Sequence, residues 1–137
     1  ITNIADERKP FIAGEFRLAM NRAENCPPPG QAAGGSSGIV PDPGTATLHY
    51  NAVDNAADTR LGLFNFMWAG LRVADIRDPK LPAELAYFKP GDVCTGHVRY
   101  RPESGHIWLT CNASGFHVLE LKPEVRAAAG LPRLRIR

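Results

Sequence analysis

The sequence predicts an all-β protein: a single antiparallel β-sandwich or jelly-roll-like domain of about eight strands with little helix. Three observations support this fold class. Several short segments alternate apolar and polar residues with the period of two that a half-buried strand requires. The chain contains 13 glycines and 12 prolines, many of them between these segments as turn signals. Its length of 137 residues is that of one domain, so residues 1–137 are expected to form one β-rich unit.

The N-terminal part holds one predicted strand and one long loop. Phe16, Leu18 and Met20 recur at every second position, which predicts a first short strand. A Pro/Gly-rich loop is predicted over residues 22–44, because residues 26–44 contain three consecutive prolines and a Gly/Ser run with few apolar side chains. This loop is interpreted as a surface connection within one domain.

The middle of the chain predicts the central strands of a sheet. Residues 45–53 alternate regularly and predict a half-buried strand. Residues 61–68 are apolar on both faces, which predicts a strand that is covered on both sides. Gly70 ends this run, and residues 71–73 resume the strand pattern. The aromatic side chains of residues 61–68 are therefore assigned to the core.

The next segment predicts a β-hairpin. Residues 82–88 are expected to form one helical turn before a Pro-Gly-Asp turn signal. Two strand-like runs follow, residues 93–101 and 106–111, joined by Pro-Glu-Ser-Gly at residues 102–105. Proline presets the first angle of the turn and Gly105 tolerates a positive φ, so a tight hairpin is predicted.

The C-terminal part predicts two strands and a short helix. A turn at residues 112–115 leads to a strand over residues 116–119. Residues 123–129 resemble a helix with proline in its first turn and Gly130 as its stop. Leu and Ile alternate with arginine over residues 133–137, which predicts a last strand.

The hairpin supplies the candidate binding or interface residues. If Arg101 and His106 close it, the opposed pairs are Arg99–Trp108, His97–Thr110, Tyr100–Ile107 and Val98–Leu109. One face is then directed to the core, and the other is basic and aromatic. That second face carries His97, Arg99, Arg101, His106, Trp108 and Thr110. This basic and aromatic face can stack on bases or sugars, with Arg99 above Trp108 as a cation–π pair. In two alternative interpretations, its arginines cover the indole or another chain buries the face.

The three cysteines, Cys26, Cys94 and Cys111, are expected to be small buried hydrophobic residues. An odd number without C-x-x-C spacing argues against a disulfide framework and against a structural zinc site. The hairpin register places Cys94 diagonal to Cys111, at about 7–8 Å, which is too far for an unstrained disulfide unless a bulge intervenes.

Composition and motifs give no support to several classes of function. The formal net charge of +2 is too small to indicate electrostatic capture of nucleic acid or membrane, and no apolar run approaches the roughly 20 residues of a membrane span. The sequence contains no P-loop, G-x-G-x-x-G or G-x-S-x-G motif. His97 and His106 are placed at opposite ends of the hairpin, so they are not expected to form a metal site with His117. The chain is predicted not to be an enzyme and to need no cofactor.

The hairpin segment resembles two known protein families. The first resemblance is carried by Gly91-Asp92-Val93, Gly96, Val98, Gly105 and Gly115-Phe116-His117. This spacing of glycine and apolar residues resembles the OB-fold RNA-binding module that is repeated in the largest ribosomal protein of the bacterial small subunit. This resemblance implies that Trp108, Phe116 and His117 lie on a face that contacts RNA.

The second resemblance, over residues 98–121, is carried by Val98-Arg99-Tyr100, Pro102-Glu103-Ser104-Gly105 and Gly115-Phe116, with upstream anchors in Leu81-Pro82-x-Glu84 and Phe11-x-x-Gly14-Glu15. These residues resemble the C-terminal part of the protruding domain of calicivirus capsids. This resemblance implies an exposed virion surface, dimer contacts and receptor attachment.

The predicted upstream strands and long loop fit a sandwich better than a five-stranded barrel, so the viral interpretation ranks first. The expected function is a structural or attachment domain of a viral or phage capsid, spike or fibre, at a virion surface or in the extracellular space. Its expected partners are further copies of the chain or a larger protein assembly, with a cell-surface receptor or glycan. The alternative is a cytoplasmic OB-fold-type module that binds single-stranded RNA.

Overall fold

A computed structural model describes residues 1–19, 22–25 and 47–132. These residues contain nine strands: β1 (Thr2–Asn3), β2 (Phe11–Ile12), β3 (Leu48–Val53), β4 (Leu61–Phe66), β5 (Gly70–Asp75), β6 (Ala83–Phe88), β7 (Val98–Arg101), β8 (His106–Cys111) and β9 (Gly115–Glu120). One α-helix, α1 (Pro123–Ala128), follows the last of these strands, and a 3₁₀ turn covers Ala23–Asn25. Most of the predicted loop and the predicted last strand lie outside the described residues.

The strands form three antiparallel sheets, which confirms the predicted all-β class. Two sheets are consecutive meanders, with the orders β3-β4-β5-β6 and β7-β8-β9, while β1 and β2 form a small separate ribbon. Every ladder in the described residues joins strands that are consecutive in sequence, and the connections between them are no longer than seven residues.

The two larger sheets pack face to face around one core. Leu61, Leu63 and Leu71 extend from the four-stranded sheet and are no more than 1% exposed. Ile107 and Leu109 meet them from the three-stranded sheet and are equally buried. Each such side chain contributes about 1.5–3 kcal/mol when it is removed from water, so this interface is the main source of stability. The arrangement is that of a β-sandwich.

The N-terminal segment covers the outer side of the four-stranded sheet. Phe16 stacks on Phe64 of β4 with 5.2 Å between ring centroids, and Leu18 packs with Phe66 and Ala69. The prediction of a strand from Phe16 and Leu18 is wrong, because residues 13–18 join no ladder. Their alternation instead reflects side chains that insert against the back of β4, which is therefore covered on both sides as predicted.

Strand β6 corrects a second prediction. Residues 82–88 were expected to form a helical turn, but Ala83–Phe88 pair with β5 across a register shift between Val73 and Ala74. Alanine, glutamate and leucine favour helix locally, and the edge of the sheet overrides that preference by offering a row of unpaired backbone groups. The strand prediction for residues 45–53 holds from Leu48 onward, and residues 45 and 46 lie outside the described part.

The predicted hairpin between β7 and β8 is confirmed. Arg101 pairs with His106 at the turn, and the Gly105 N–H donates to the Arg101 carbonyl at 2.7 Å. Gly105 has a φ of 70°, the left-handed conformation for which glycine is suited. The helix predicted over residues 123–129 is also confirmed, as α1, and Gly130 follows it with a φ of 66°.

Helix α1 is fastened to the four-stranded sheet through its C-terminal end. The Arg77 guanidinium donates to the Ala128 carbonyl at 2.9 Å, and Arg60 donates to the Gly130 carbonyl at 2.8 Å. Arginines at this end satisfy carbonyl groups that have no partner inside the helix and interact favourably with its dipole. These two side chains therefore have a structural role.

Cys94 and Cys111 form a disulfide, so the prediction that they are too far apart is wrong. If the pairing of Val98 with Leu109 continued, Cys94 would face Ala113. Instead the Gly96 N–H donates to the Thr110 carbonyl, and the Asn112 N–H donates to the Val93 carbonyl. Relative to the register of Val98 with Leu109, the first bond shifts the pairing by one residue and the second bond shifts it by two. The resulting bulge brings the Cα atoms of Cys94 and Cys111 to 3.8 Å from each other.

Residues 93–97, here called the junction, also bind the four-stranded sheet. The buried side chain of Asn65 donates from Nδ2 to the Cys94 carbonyl at 3.0 Å and to the Gly96 carbonyl at 2.7 Å. The Cys94 N–H donates to the Met67 carbonyl at 2.8 Å. A side chain at Gly96 would place its Cβ 2.5 Å from the Thr110 Cβ, so glycine permits this close approach. The junction thus ties both sheets together.

Removal of the disulfide in a Cys94→Ala, Cys111→Ala double variant is expected to lower the free energy of unfolding by about 2–4 kcal/mol. The reason is that the cross-link restricts the unfolded chain across a sequence separation of 17 residues. Urea denaturation under non-reducing conditions measures the change, with Cys26→Ala as a control that keeps this cross-link. An unchanged unfolding free energy would contradict the prediction, as would the absence of a Cys94–Cys111 cross-linked peptide in a non-reduced digest.

Candidate functional site

The outward side of the three-stranded sheet, here called the outer face, is the candidate functional site. Because side chains alternate along a strand, β7, β8 and β9 each direct every second residue away from the core. The outer face consists of Arg99, Arg101, His106, Trp108, Thr110, Phe116, Val118 and Glu120. Large apolar side chains are open to solvent there: Trp108 is 36% exposed, Phe116 60% and Val118 53%.

The ladder arranges these residues in rows across the sheet. Arg99, Trp108 and Val118 form the middle row. Arg101 and Glu120 flank His106 in the row nearest the hairpin turn. Thr110 and Phe116 are paired at the other end. The predicted site residues of β7 and β8 are thus brought together on one surface.

His97 is the exception among the predicted site residues. It was expected opposite Thr110, but Gly96 takes that position because of the bulge in the junction. The His97 ring instead packs against Tyr50 of β3, with 3.8 Å between ring centroids. His97 therefore belongs to the contact between the two sheets and is not part of the outer face.

The cation–π pair also differs from the prediction. Arg101, not Arg99, lies over the indole, with its Cζ atom 4.9 Å from the Trp108 ring centroid. Arg101 is diagonal to Trp108 in the ladder, a separation that a long side chain can bridge. Glu103 lies 3.7 Å from Arg101 Nε in an exposed ion pair. The guanidinium thus covers part of the tryptophan surface.

Phe116 and Val118 were not among the six hairpin residues predicted as a site, and Phe116 was named only through the OB-fold resemblance. They provide the largest exposed apolar fractions of the outer face. The Phe116 ring meets the Trp108 ring edge-on at 5.9 Å between centroids. The pairing of Cys111 with Gly115 across the β8–β9 turn aligns Thr110 with Phe116 and Trp108 with Val118. The sequence signal was present, since a turn at residues 112–115 sets this register once β9 is recognised as the partner of β8.

His117 lies on the side of β9 opposite to Phe116. It pairs with the buried Leu109, is half-buried itself, and its ring lies 5.1 Å from that of Phe88 in an edge contact. The face that the OB-fold resemblance implied for Trp108, Phe116 and His117 therefore holds only the first two. In residues 1–19, 22–25 and 47–132 no group of three or more His, Cys, Asp or Glu side chains has the geometry to hold a metal ion.

Asp92, Ser114 and His117 make a hydrogen-bonded group that contains the residue types of a hydrolytic triad. Ser114 Oγ is 3.0 Å from Asp92 Oδ2 and 2.9 Å from His117 Nε2. A carboxylate only accepts, so the single hydroxyl proton is donated to Asp92 and the His117 N–H is donated to Ser114 Oγ. In a catalytic triad the carboxylate orients the histidine, which then accepts the serine proton. The order here is different, because the carboxylate contacts the serine and not the histidine.

This group instead anchors the β8–β9 turn to the junction. Asp92 Oδ2 accepts the backbone N–H groups of Ala113 and Ser114, each at 2.7 Å. The Ser114 N–H, followed by the Ala113 N–H and the Ser114 hydroxyl, holds the pKa of the Asp92 carboxyl below its ordinary value of 3.8. The ionised form of Asp92 therefore stabilises the turn that leads into β9 and its outer-face residues.

A cleft of about 700 Å³ opens on the side of the sandwich where β6 and β9 are both edge strands. Its walls are mostly apolar and include Leu85, Phe88, Leu119 and Val125, with Lys122 among the few charged residues that line it. These walls pack against the buried core. The charged lining residues of the cleft are Glu120, Lys122 and Glu124.

No protein-family model matches the chain, and comparison with curated proteins gives no match. Among the helices of the described residues, none is long and apolar enough to cross a membrane. The function is therefore inferred from the side chains of the outer face.

The Asp92→Asn variant is expected to be less stable than the native chain near neutral pH, since an amide oxygen accepts the turn's hydrogen bonds more weakly than a carboxylate does. Because folding lowers the Asp92 pKa, its contribution is complete above the pKa of the unfolded state and is lost as the pH falls through that of the folded state. The difference between the two proteins should therefore shrink in acid.

Thermal denaturation at a series of pH values from neutral into acid measures this difference in stability. Asp78→Asn is the matched control, because the Asp78 carboxylate accepts one backbone N–H, from Lys80, in an exposed turn. Equal stability of Asp92→Asn and the native protein at neutral pH would contradict the proposed role of Asp92, as would a difference that persists unchanged in acid.

Proposed function

We propose that this chain is a non-enzymatic structural or attachment domain, of the kind that forms the surface of a viral or phage capsid, spike or fibre. The outer face is the surface through which it contacts other protein. The observation that carries this proposal is the contiguous group of exposed Trp108, Phe116 and Val118 side chains, bordered by Arg99 and Arg101 on the neighbouring strand.

The composition of the outer face favours a protein partner. Tryptophan, phenylalanine and arginine are enriched at the centres of protein–protein interfaces, and their truncation there usually has the largest effect on affinity. Isolated apolar residues are common on protein surfaces, but contiguous exposed ones are not, because they promote aggregation unless another molecule covers them. Coverage by protein in an assembly supplies a reason for Trp108, Phe116 and Val118 to be adjacent.

The placement of Arg101 argues against a stacking site for bases. A module that binds single-stranded RNA presents open aromatic rings on which bases stack. Here the Arg101 guanidinium lies 4.9 Å from the Trp108 ring centroid, so a base would have to displace it. A protein partner can instead use the same guanidinium as a hydrogen-bond donor without disturbing the indole.

The disulfide supports a location outside the cytoplasm. Cross-links between cysteines persist in oxidising surroundings, including virion and cell surfaces, and are rare where glutathione keeps thiols reduced. The Cys94–Cys111 bond joins the junction to β8, the strand that carries Trp108. A virion-surface or extracellular domain, with a receptor or glycan as a further partner of the assembled particle, is consistent with such a bond.

Substitution of Trp108 by alanine is expected to weaken self-association of the chain by at least about tenfold, as for an aromatic side chain at the centre of an interface. Sedimentation velocity over a range of protein concentrations measures this effect. Tyr87→Ala is the matched control, because Tyr87 is 68% exposed and carries Arg72 at 5.0 Å from its ring, but lies on the other sheet. A chain that is monomeric at every concentration would count against the proposal, and so would association that is indifferent to Trp108→Ala.

The alternative function is tested with a labelled single-stranded RNA at low salt. We expect no binding by fluorescence anisotropy. Binding that falls with salt and weakens in both Trp108→Ala and Arg99→Ala would favour the RNA-binding module instead, because phosphate contacts are salt-dependent and base stacking needs the indole.

A further inference from the structure

We propose that the outer face binds the outer face of a second copy of this chain, about a two-fold axis that runs parallel to β8 and passes over Trp108. This inference rests on the proposed function, and it identifies the first partner of the outer face as another copy of the chain. It follows from the order of charges across the three strands, which makes the outer face complementary to itself.

The charges are separated on the two edges of the sheet. The β7 edge carries Arg99 and Arg101, whereas the outward residues of β9 are Phe116, Val118 and the acidic Glu120. The ladder places Arg101 and Glu120 in the same row, on either side of His106. Glu120 forms no ion pair within the described residues, and the single ion pair of Arg101 there, to Glu103, is long at 3.7 Å.

A two-fold axis parallel to the strands exchanges the two edges without moving a residue out of its row. The β7 edge of one copy then lies over the β9 edge of the other, so that Arg101 faces the partner's Glu120 and Arg99 extends over the partner's Val118. The two Trp108 side chains lie nearest the axis, each with the guanidinium of its own Arg101 against the indole. Every dimer of this kind contains two Arg101–Glu120 contacts, because a two-fold interface repeats each contact.

The other face-to-face arrangement is unfavourable. An axis in the plane of the interface but perpendicular to the strands would place β7 over β7, and Arg99 and Arg101 would then oppose the arginines of the second copy. Like charges placed together across an interface cost free energy and suppress that mode of pairing. The axis parallel to β8 is therefore the one that the charges select, and it keeps the strands of the two packed sheets nearly aligned.

The size of the outer face sets the strength of this dimer. Three strands about 4.8 Å apart and up to six residues long cover roughly 14 by 20 Å. That is less than the area of about 800 Å² per partner that stable complexes bury, so the isolated dimer is expected to have a micromolar or weaker Kd. Many such contacts in one particle would reinforce each other through effective concentration.

Charge reversal tests the axis directly. The single variants Arg101→Glu and Glu120→Arg are each expected to weaken self-association by at least about tenfold, because both contacts of the dimer become like-charged. An equimolar mixture of the two variants is expected to associate within about threefold of the native chain. In that mixed dimer one contact pairs glutamate at position 101 with arginine at position 120, and the other pairs the native Arg101 with the native Glu120.

The experiment is sedimentation velocity on the full chain at low and high salt, with circular dichroism to show that each variant is folded. Glu7→Arg is the control that matches the charge change of Glu120→Arg, because Glu7 lies in the exposed loop between β1 and β2 and is remote in sequence from the outer face. We expect it to leave association unchanged. Salt should weaken the native dimer more than it weakens either single variant, since only the native contacts gain from opposite charges.

The outcomes separate this inference from the proposed function. If Trp108→Ala weakens association but the mixture of charge variants does no better than each variant alone, the two-fold arrangement is wrong while assembly through the outer face stands. If the native chain shows no association that depends on Trp108, both the arrangement and the proposed assembly function are overturned. Restoration in the mixture supports the axis, because a change within one chain cannot produce it.

Discussion

The arrangement of the two larger sheets depends on the buried side-chain amide of Asn65. Its Nδ2 group binds the carbonyls of Cys94 and Gly96, which the bulge withdraws from the ladder between β7 and β8. A buried carbonyl without a partner costs about 1–3 kcal/mol, so this amide makes the irregular backbone of the junction tolerable. The bulge in turn brings Cys94 to Cys111 and directs His97 toward Tyr50. One polar group in the core thus stabilises the irregular backbone that keeps His97 off the outer face.

The features that the sequence predicts correctly are those with local causes. The β7–β8 hairpin follows from a proline at the start of its turn, a glycine that tolerates positive φ, and alternation on both sides. Residues 82–88 could not be predicted in the same way, because their strand depends on pairing with β5, and that contact leaves no trace in their own composition. Phe16 and Leu18 illustrate a related limit, since alternation shows which side chains are buried but not whether the backbone pairs.

The candidate site shows the same division between local and distant causes. Arg99, Arg101, His106, Trp108 and Thr110 were predictable because the turn fixes the register of β7 and β8. The departure of His97 was not predictable, since the bulge depends on Asn65 and Thr110, which are distant in sequence from the junction. The cation–π partner of Trp108 depends on the preferred conformations of two neighbouring arginines, which alternation does not determine. Phe116 and Val118 could have been placed on the outer face from the register of β8 with β9, which the turn at residues 112–115 sets.

Strand β8 belongs to the core and to the surface at the same time. Ile107, Leu109 and Cys111 face inward, while Trp108 and Thr110 face outward, so the insertion of one residue would exchange the two sets. Point substitutions at the outward positions can therefore alter the outer face without disturbing the core, whereas a change in the length of the strand cannot. The turns at residues 102–105 and 112–114 set the register of β8 with its two neighbours, so we expect their lengths to be as constrained as the length of the strand itself.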